Sequence, residues 1–123
     1  MGVEQLSSEG LTLEIQHEPS ITVTWRGRST ARNPSQFVLP VLTGLLERAT
    51  TEGKTLVLDF RALDYLNSST LTPLVRILDV ARGGACAVVV QYDRMRKWQA
   101  LSFTALEVFQ TPDGRVLIQG LAE

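Results

Sequence analysis

Two short runs of almost unbroken apolar residues, Thr55-Leu56-Val57-Leu58-Asp59-Phe60 and Ala85-Cys86-Ala87-Val88-Val89-Val90-Gln91-Tyr92, constrain this chain more than any other feature. Runs of this length and continuity read as strands buried on both faces. Each is preceded by a longer stretch with helical periodicity. Strands joined through helices are parallel, and a right-handed crossover packs each helix back on the sheet. A mixed α/β sheet with parallel central strands is therefore expected.

The first helical pattern opens at Asn33-Pro34, an N-cap followed by a proline at the first helical position. Phe37, Val38, Val41, Leu42, Leu45, Leu46 and Ala49 form its apolar face, and Gly53 is the expected C-cap. Pro40 lies inside the pattern and is expected to kink the helix or split off its first turns. In the second pattern Leu71, Leu74, Val75, Leu78 and Ala81 repeat at three and four residues, and Gly83-Gly84 is the stop. Pro73 favours a cap near Ser69 or Thr70, because proline is best tolerated where its missing N–H has no partner.

Strict alternation marks the other end of the chain. Leu11, Leu13 and Ile15 alternate with polar residues, as do Ile21, Val23 and Trp25 after Glu18-Pro19-Ser20, which predicts an antiparallel hairpin. Residues 1–10 show no periodicity and read as a flexible lead-in to a single domain over 11–123. Asp93 is expected to cap a third helix with Met95, Trp98, Leu101 and Ala105 on one side. Val108-Phe109 and Val116-Leu117-Ile118 flank the turn signature Thr111-Pro112-Asp113-Gly114 and predict one or two edge strands.

Between the first buried run and the second helix lies Leu63-Asp64-Tyr65-Leu66-Asn67-Ser68-Ser69-Thr70-Leu71, an extended segment that runs into three adjacent hydroxyls. Side chains of this type satisfy the orphan N–H groups of a helix start, and capping alone would account for them. The same geometry can present a hydroxyl to a kinase. A phosphate there adds roughly −1.5 to −2 charges. It would meet the positive end of the helix dipole, an interaction worth about 0.3 to 1 kcal/mol.

Taken together, these residues resemble a STAS domain, the SpoIIAA-like fold of the anti-sigma-factor antagonists. The likeness runs through the hairpin, Gly27 at the end of its second strand, the long helix, Leu56-Val57-Leu58-Asp59, the hydroxyl motif, and Gly83-Gly84 before Cys86-Ala87-Val88-Val89-Val90. The antagonist motif reads hydrophobic-Asp-Ser-Ser-Gly-Leu, with the second serine phosphorylated, which implies Ser69. Here Asn67 replaces the aspartate and Thr70 the glycine. At the motif the chain is even more similar to the SiaC-like regulatory phosphoproteins, whose Tyr-Leu-Asn-Thr-Ser-Ser and later Tyr-Asp match Tyr65-Leu66-Asn67-Ser68-Ser69 and Tyr92-Asp93. In that branch the hydroxyl directly after the asparagine is the acceptor, which implies Ser68.

The resemblance implies a non-enzymatic regulatory module of a bacterial partner-switching system. Its partners would be a serine kinase of the anti-sigma type or an effector enzyme, together with a phosphatase. Asn67, Thr70, Leu71, Thr72, Tyr65 and Arg94 would form the partner surface. Arg28 to Asn33 and Tyr92 to Arg96 would flank it, because loops at one end of a parallel sheet cluster. The alternative is a scaffolding or small-molecule-binding STAS-like module in which the hydroxyls only cap.

Composition excludes several other classes. Twelve basic and thirteen acidic residues give a net charge of −1, with the basic residues scattered, so neither nucleic acid nor an anionic membrane is indicated as a partner. Cys86 is the only cysteine and His17 the only histidine, which leaves no disulfide framework, no metal site and no implied cofactor. No apolar run approaches the roughly 18 residues of a membrane span, and residues 1–10 lack a signal-peptide core, so a cytoplasmic protein is expected. A hydrolase would need His17 beside Ser68 or Ser69, and the Gly-x-Ser-x-Gly elbow is absent. Asp59 reads as a structural hydrogen-bonding residue, and Arg94, Arg96 and Lys97 beside Trp98 as a solvated face able to meet a phosphate or an acidic partner. The sequence leaves the oligomeric state open.

Overall fold

The structure, a computed structural model, describes residues 2–122; Met1 and Glu123, the ends of the expected lead-in and domain, lie outside the described residues. Seven strands, β1 (Glu4–Ser8), β2 (Leu11–Gln16), β3 (Ile21–Ser29), β4 (Leu56–Asp59), β5 (Leu63–Leu66), β6 (Val88–Asp93) and β7 (Val116–Leu121), form one sheet. Three helices, α1 (Ser35–Glu52), α2 (Ser68–Arg82) and α3 (Lys97–Thr104), connect them, and a 3₁₀ turn over Ala105–Phe109 follows α3. The path across the sheet is β1-β2-β3-β4-β6-β7, with β5 paired to β3. β1, β2 and β3 are antiparallel, and every other pairing is parallel. The architecture is a mixed α/β sheet with parallel central strands and an N-terminal hairpin.

The central strands are buried on one face only, contrary to expectation. Leu56 and Leu58 of β4 and Val88 and Val90 of β6 face the core, whereas Val57 and Val89 are half-buried on the other side. Helices cover a single face, and β-branched residues suit a pleated strand whether or not that face is sealed. Trp25, Phe60 and Phe103 lie in tandem in the core, with ring centroids 4.6 Å apart at each step.

Several boundaries differ from the sequence reading. Residues 4–8, expected in the flexible lead-in, form the edge strand β1 against β2. Backbone hydrogen bonds make that strand, and one mostly exposed edge needs no apolar alternation. Helix α1 starts at Ser35, with Pro34 as its cap and no side-chain cap from Asn33. It runs unbroken through Pro40 to Gly53, whose φ of 66° gives the expected left-handed C-cap. Val108 is 70% exposed in the 3₁₀ turn, so β7 alone follows α3.

Gly27 positions the motif. Its φ is +85°, and a Cβ there would collide with the carbonyl of Gly10 on the β1–β2 turn. A side chain is excluded both by conformation and by space. β3 pairs with β4 as far as Thr24 and Asp59, and a bulge between Gly27 and Arg28 interrupts its later pairing with β5. The same edge then takes up β5 from Leu63 onward, ending at the Ser29–Leu66 pair.

Candidate functional site

β5 delivers the chain directly to the start of α2. The backbone N–H of Asn67 donates to Ser29 O at 2.9 Å, and Asn67 has the extended dihedrals of an N-cap, φ −88° and ψ 168°. Its Oδ1 accepts from the Thr70 N–H at 3.1 Å and from Thr70 Oγ1 at 2.8 Å. Its Nδ2 donates to Ala31 O at 3.0 Å. Asn67 is therefore the cap, two or three residues ahead of the position that Pro73 suggested. Proline is tolerated beyond the first turn here because its ring is buried in the core, which offsets the missing hydrogen bond.

Three hydroxyls follow the cap, and the fold treats each differently. Ser68 is exposed, Ser69 is half-buried, and Thr70 is fully buried. Among the described residues, neither Ser68 nor Ser69 uses its hydroxyl in a hydrogen bond within the chain, whereas Thr70 Oγ1 also lies 2.6 Å from Ser29 Oγ. No acidic residue stands in the first turn of α2, so the positive end of its dipole is uncompensated there.

The residues expected on a partner surface are placed as follows around the motif. Tyr65 is 40% exposed, carries the Arg28 guanidinium 4.9 Å above its ring, and lies 6.5 Å from Trp98. Thr72 is exposed, and Leu71 is half-buried against the core. Thr70 is the correction: a fully buried side chain cannot belong to a docking surface, and its hydroxyl is already engaged twice. Arg94 is exposed and pairs through its backbone with Leu121 of β7, on the far side of β6 from β5. Arg96, rather than Arg94, reaches back to the motif strand, donating to Leu63 O at 2.8 Å and pairing with Asp64 at 3.6 Å.

Helix α3 also differs. Asp93 Oδ1 accepts from the Met95 N–H at 2.9 Å, closing a turn, and the helix starts at Lys97 with Arg96 as its cap. Met95 and Leu101 are each 72% exposed, while Gln99 and Phe103 face inward. Gln99 donates to Phe60 O at 2.8 Å and Leu63 O at 3.0 Å and accepts from the Asp93 N–H at 2.8 Å. An apolar-periodicity argument cannot find such a residue, because its burial depends on backbone groups that only the fold brings together. In α2, likewise, Val75 faces solvent and Ile77 takes the core position.

The remaining polar residues lie away from this end. His17 sits in the β2–β3 turn, 3.5 Å from Glu4, and β3 separates that turn from Ser29 by about 27 Å of extended chain. It is not beside a motif serine. Lys54 bridges Glu18 at 2.7 Å and Glu52 at 3.1 Å at the same distant end; its ammonium pKa is raised by the bond to Glu18 first and then by Glu52. Burial pushes the Cys86 thiol up from its ordinary value, so it ionises poorly. Asp59 accepts from the Arg61 N–H and pairs with its guanidinium at 2.9 Å, a structural role. Among the described residues, no three His, Cys, Asp or Glu side chains converge to hold a metal ion, and no helix is long and apolar enough to cross a membrane.

Comparison with family models and with curated proteins finds no match. Solved structures share the fold. SiaC of Pseudomonas aeruginosa is 22% identical over 100% of both chains, with a TM-score of 0.66. A chain of the structure of the diguanylate cyclase SiaD in complex with its activator SiaC, also from Pseudomonas aeruginosa, is 24% identical over 96% of this chain and 99% of that one, at 0.65. An uncharacterised DUF3478-family protein with a SpoIIAA-like fold from Shewanella loihica is 18% identical over 96% and 92%, at 0.52. The fold of this chain is SpoIIAA-like.

Proposed function

We propose that this protein is a non-enzymatic regulatory module of a bacterial, cytoplasmic partner-switching system. It binds a protein partner through the end of the sheet that carries Tyr65, Asn67, Leu71 and Thr72, and phosphorylation of a motif serine releases that partner. Ser68 is the favoured acceptor and Ser69 the alternative. The observation that carries the reading is an exposed hydroxyl, unbonded among the described residues, on the first residue of a firmly capped helix whose first turn holds no acidic residue.

The switch follows from charge. A phosphate on Ser68 would face the dipole's positive end, so the domain accepts it without unfolding. A partner docked over Ser68, by contrast, would have to bury close to two negative charges, which a contact surface cannot do without new cations. In this reading a serine kinase adds the phosphate and a phosphatase removes it. The structurally similar SiaC is the activator of a diguanylate cyclase. A nucleotide-cyclising enzyme is thus one effector class to try beside an anti-sigma-type kinase.

The test is the intact mass after incubation with ATP and host lysate. A gain of one phosphate, abolished in either Ser68→Ala or Ser69→Ala, supports the switch and names the acceptor. The absence of any gain across growth phases and stresses overturns it. A cavity of about 310 Å³ lined by Ser8, Leu11, Ser29, Asn33 and Phe37 favours the second reading, a small-molecule-binding module in which the hydroxyls only cap. Partner binding unchanged in the double alanine variant and in a doubly aspartate-substituted one would favour that module.

A further inference from the structure

Ser29 and Thr70 are buried to 2% and 0% exposure, 41 residues apart in sequence, and bonded to each other. The direction of that bond can be assigned. Asn67 Nδ2 donates to Ala31 O, which orients the amide so that Oδ1 faces Thr70. A carbonyl oxygen only accepts, so the Thr70 hydroxyl gives its proton to Asn67, and Ser29 must be the donor to Thr70. The relay runs Ser29 to Thr70 to Asn67. Its far end is the cap that sets where α2 begins.

Resting on the phosphoswitch reading above, we infer that Ser29 and Thr70 are positioning residues that select which motif hydroxyl is modified. The relay draws the third hydroxyl into the core and pins the cap to β3. That leaves Ser68 facing outward, with Ser69 rotated about 100° around the helix axis into a half-buried position. In a frayed first turn all three hydroxyls would be comparably reachable. Acceptor choice is therefore set from strand β3, by residues that touch neither kinase nor phosphate.

Directionality makes the inference testable. Thr70→Val removes both bonds of the relay and strands the Ser29 hydroxyl. Ser29→Ala removes one and leaves Thr70 bonded to Asn67, and Thr70→Ser keeps both. Each variant is incubated with ATP and host lysate, and the ratio of phosphate on Ser68 to phosphate on Ser69 is read by fragment mass spectrometry. The wild-type protein and Thr70→Ser should carry it predominantly on Ser68. In Thr70→Val the ratio should fall about fivefold or more, the weight of one net hydrogen bond, with a smaller fall in Ser29→Ala.

A ratio unchanged in a folded Thr70→Val, or a wild-type protein modified chiefly on Ser69, overturns the inference. If Thr70→Val does not fold, an unchanged ratio in Ser29→Ala overturns it. Amide exchange gives a second readout that needs no kinase: the N–H groups of Ser69 to Leu71 should exchange faster in Ser29→Ala and Thr70→Val while α1 is unaffected, and equal rates overturn the positioning role. No phosphate on the wild-type chain, with faster exchange in the variants, would sink the phosphoswitch reading and leave the relay as a cap support only.

Discussion

Helices α2 and α3 meet at the same motif, one starting from it and the other lying against it, and they are fastened to the sheet by different chemistry. α2 presents Leu74, Ile77, Leu78 and Ala81 to the core and is capped by a side chain. α3 is short, has no side-chain cap, and turns Leu101 to solvent while burying Gln99. Its fully buried apolar side chain is Phe103, which stacks on Tyr92 at 5.7 Å and lies tilted against Phe60 at 4.6 Å. A helix made by periodicity announces itself in sequence; a helix pinned by hydrogen bonds to another element's carbonyls does not.

Breaking the pin should therefore cost more than breaking the cap. Gln99→Ala deprives Phe60 O, Leu63 O and the Asp93 N–H of a buried partner and is expected to lower stability by about 2 to 3 kcal/mol, read from urea unfolding at constant m-value. A loss below about 1 kcal/mol would mean that water replaces the amide. Asn67→Ala removes the α2 cap and is expected to cost about 1 to 2 kcal/mol in the same assay. If the two losses came out reversed, the contrast between the helices would be wrong. The smallest change, Leu101→Gln, should stay within about 0.5 kcal/mol because the side chain is 72% exposed. A larger loss would show that this side of α3 is covered in solution.

The same contrast explains what was legible at the candidate site. Asn67, Ser68 and Ser69 could be identified as a helix start because residue types that accept from free N–H groups are few. Thr70 looked identical to them, yet the 2.6 Å contact with Ser29 withdraws it from the surface, and nothing within the motif signals that partner. Arg94 and Arg96 were likewise indistinguishable. Only the path of the turn after β6 directs the first toward β7 and the second toward β5.

By itself the sequence determined the hairpin, the two long helices and the parallel centre of the sheet, because hydrophobic period and turn chemistry act over a few residues. Gly53 and Gly83 marked helix ends through local geometry alone, whereas the α2 cap at Asn67 lies ahead of the Ser69 or Thr70 position that Pro73 suggested. The tertiary structure decided what depends on a second segment: that one sheet face stays half open, that residues 4–8 find an edge to join, that Gln99 is buried, and which of three consecutive hydroxyls faces water. Burial of a polar group requires a partner from elsewhere in the chain. Only the folded arrangement supplies it.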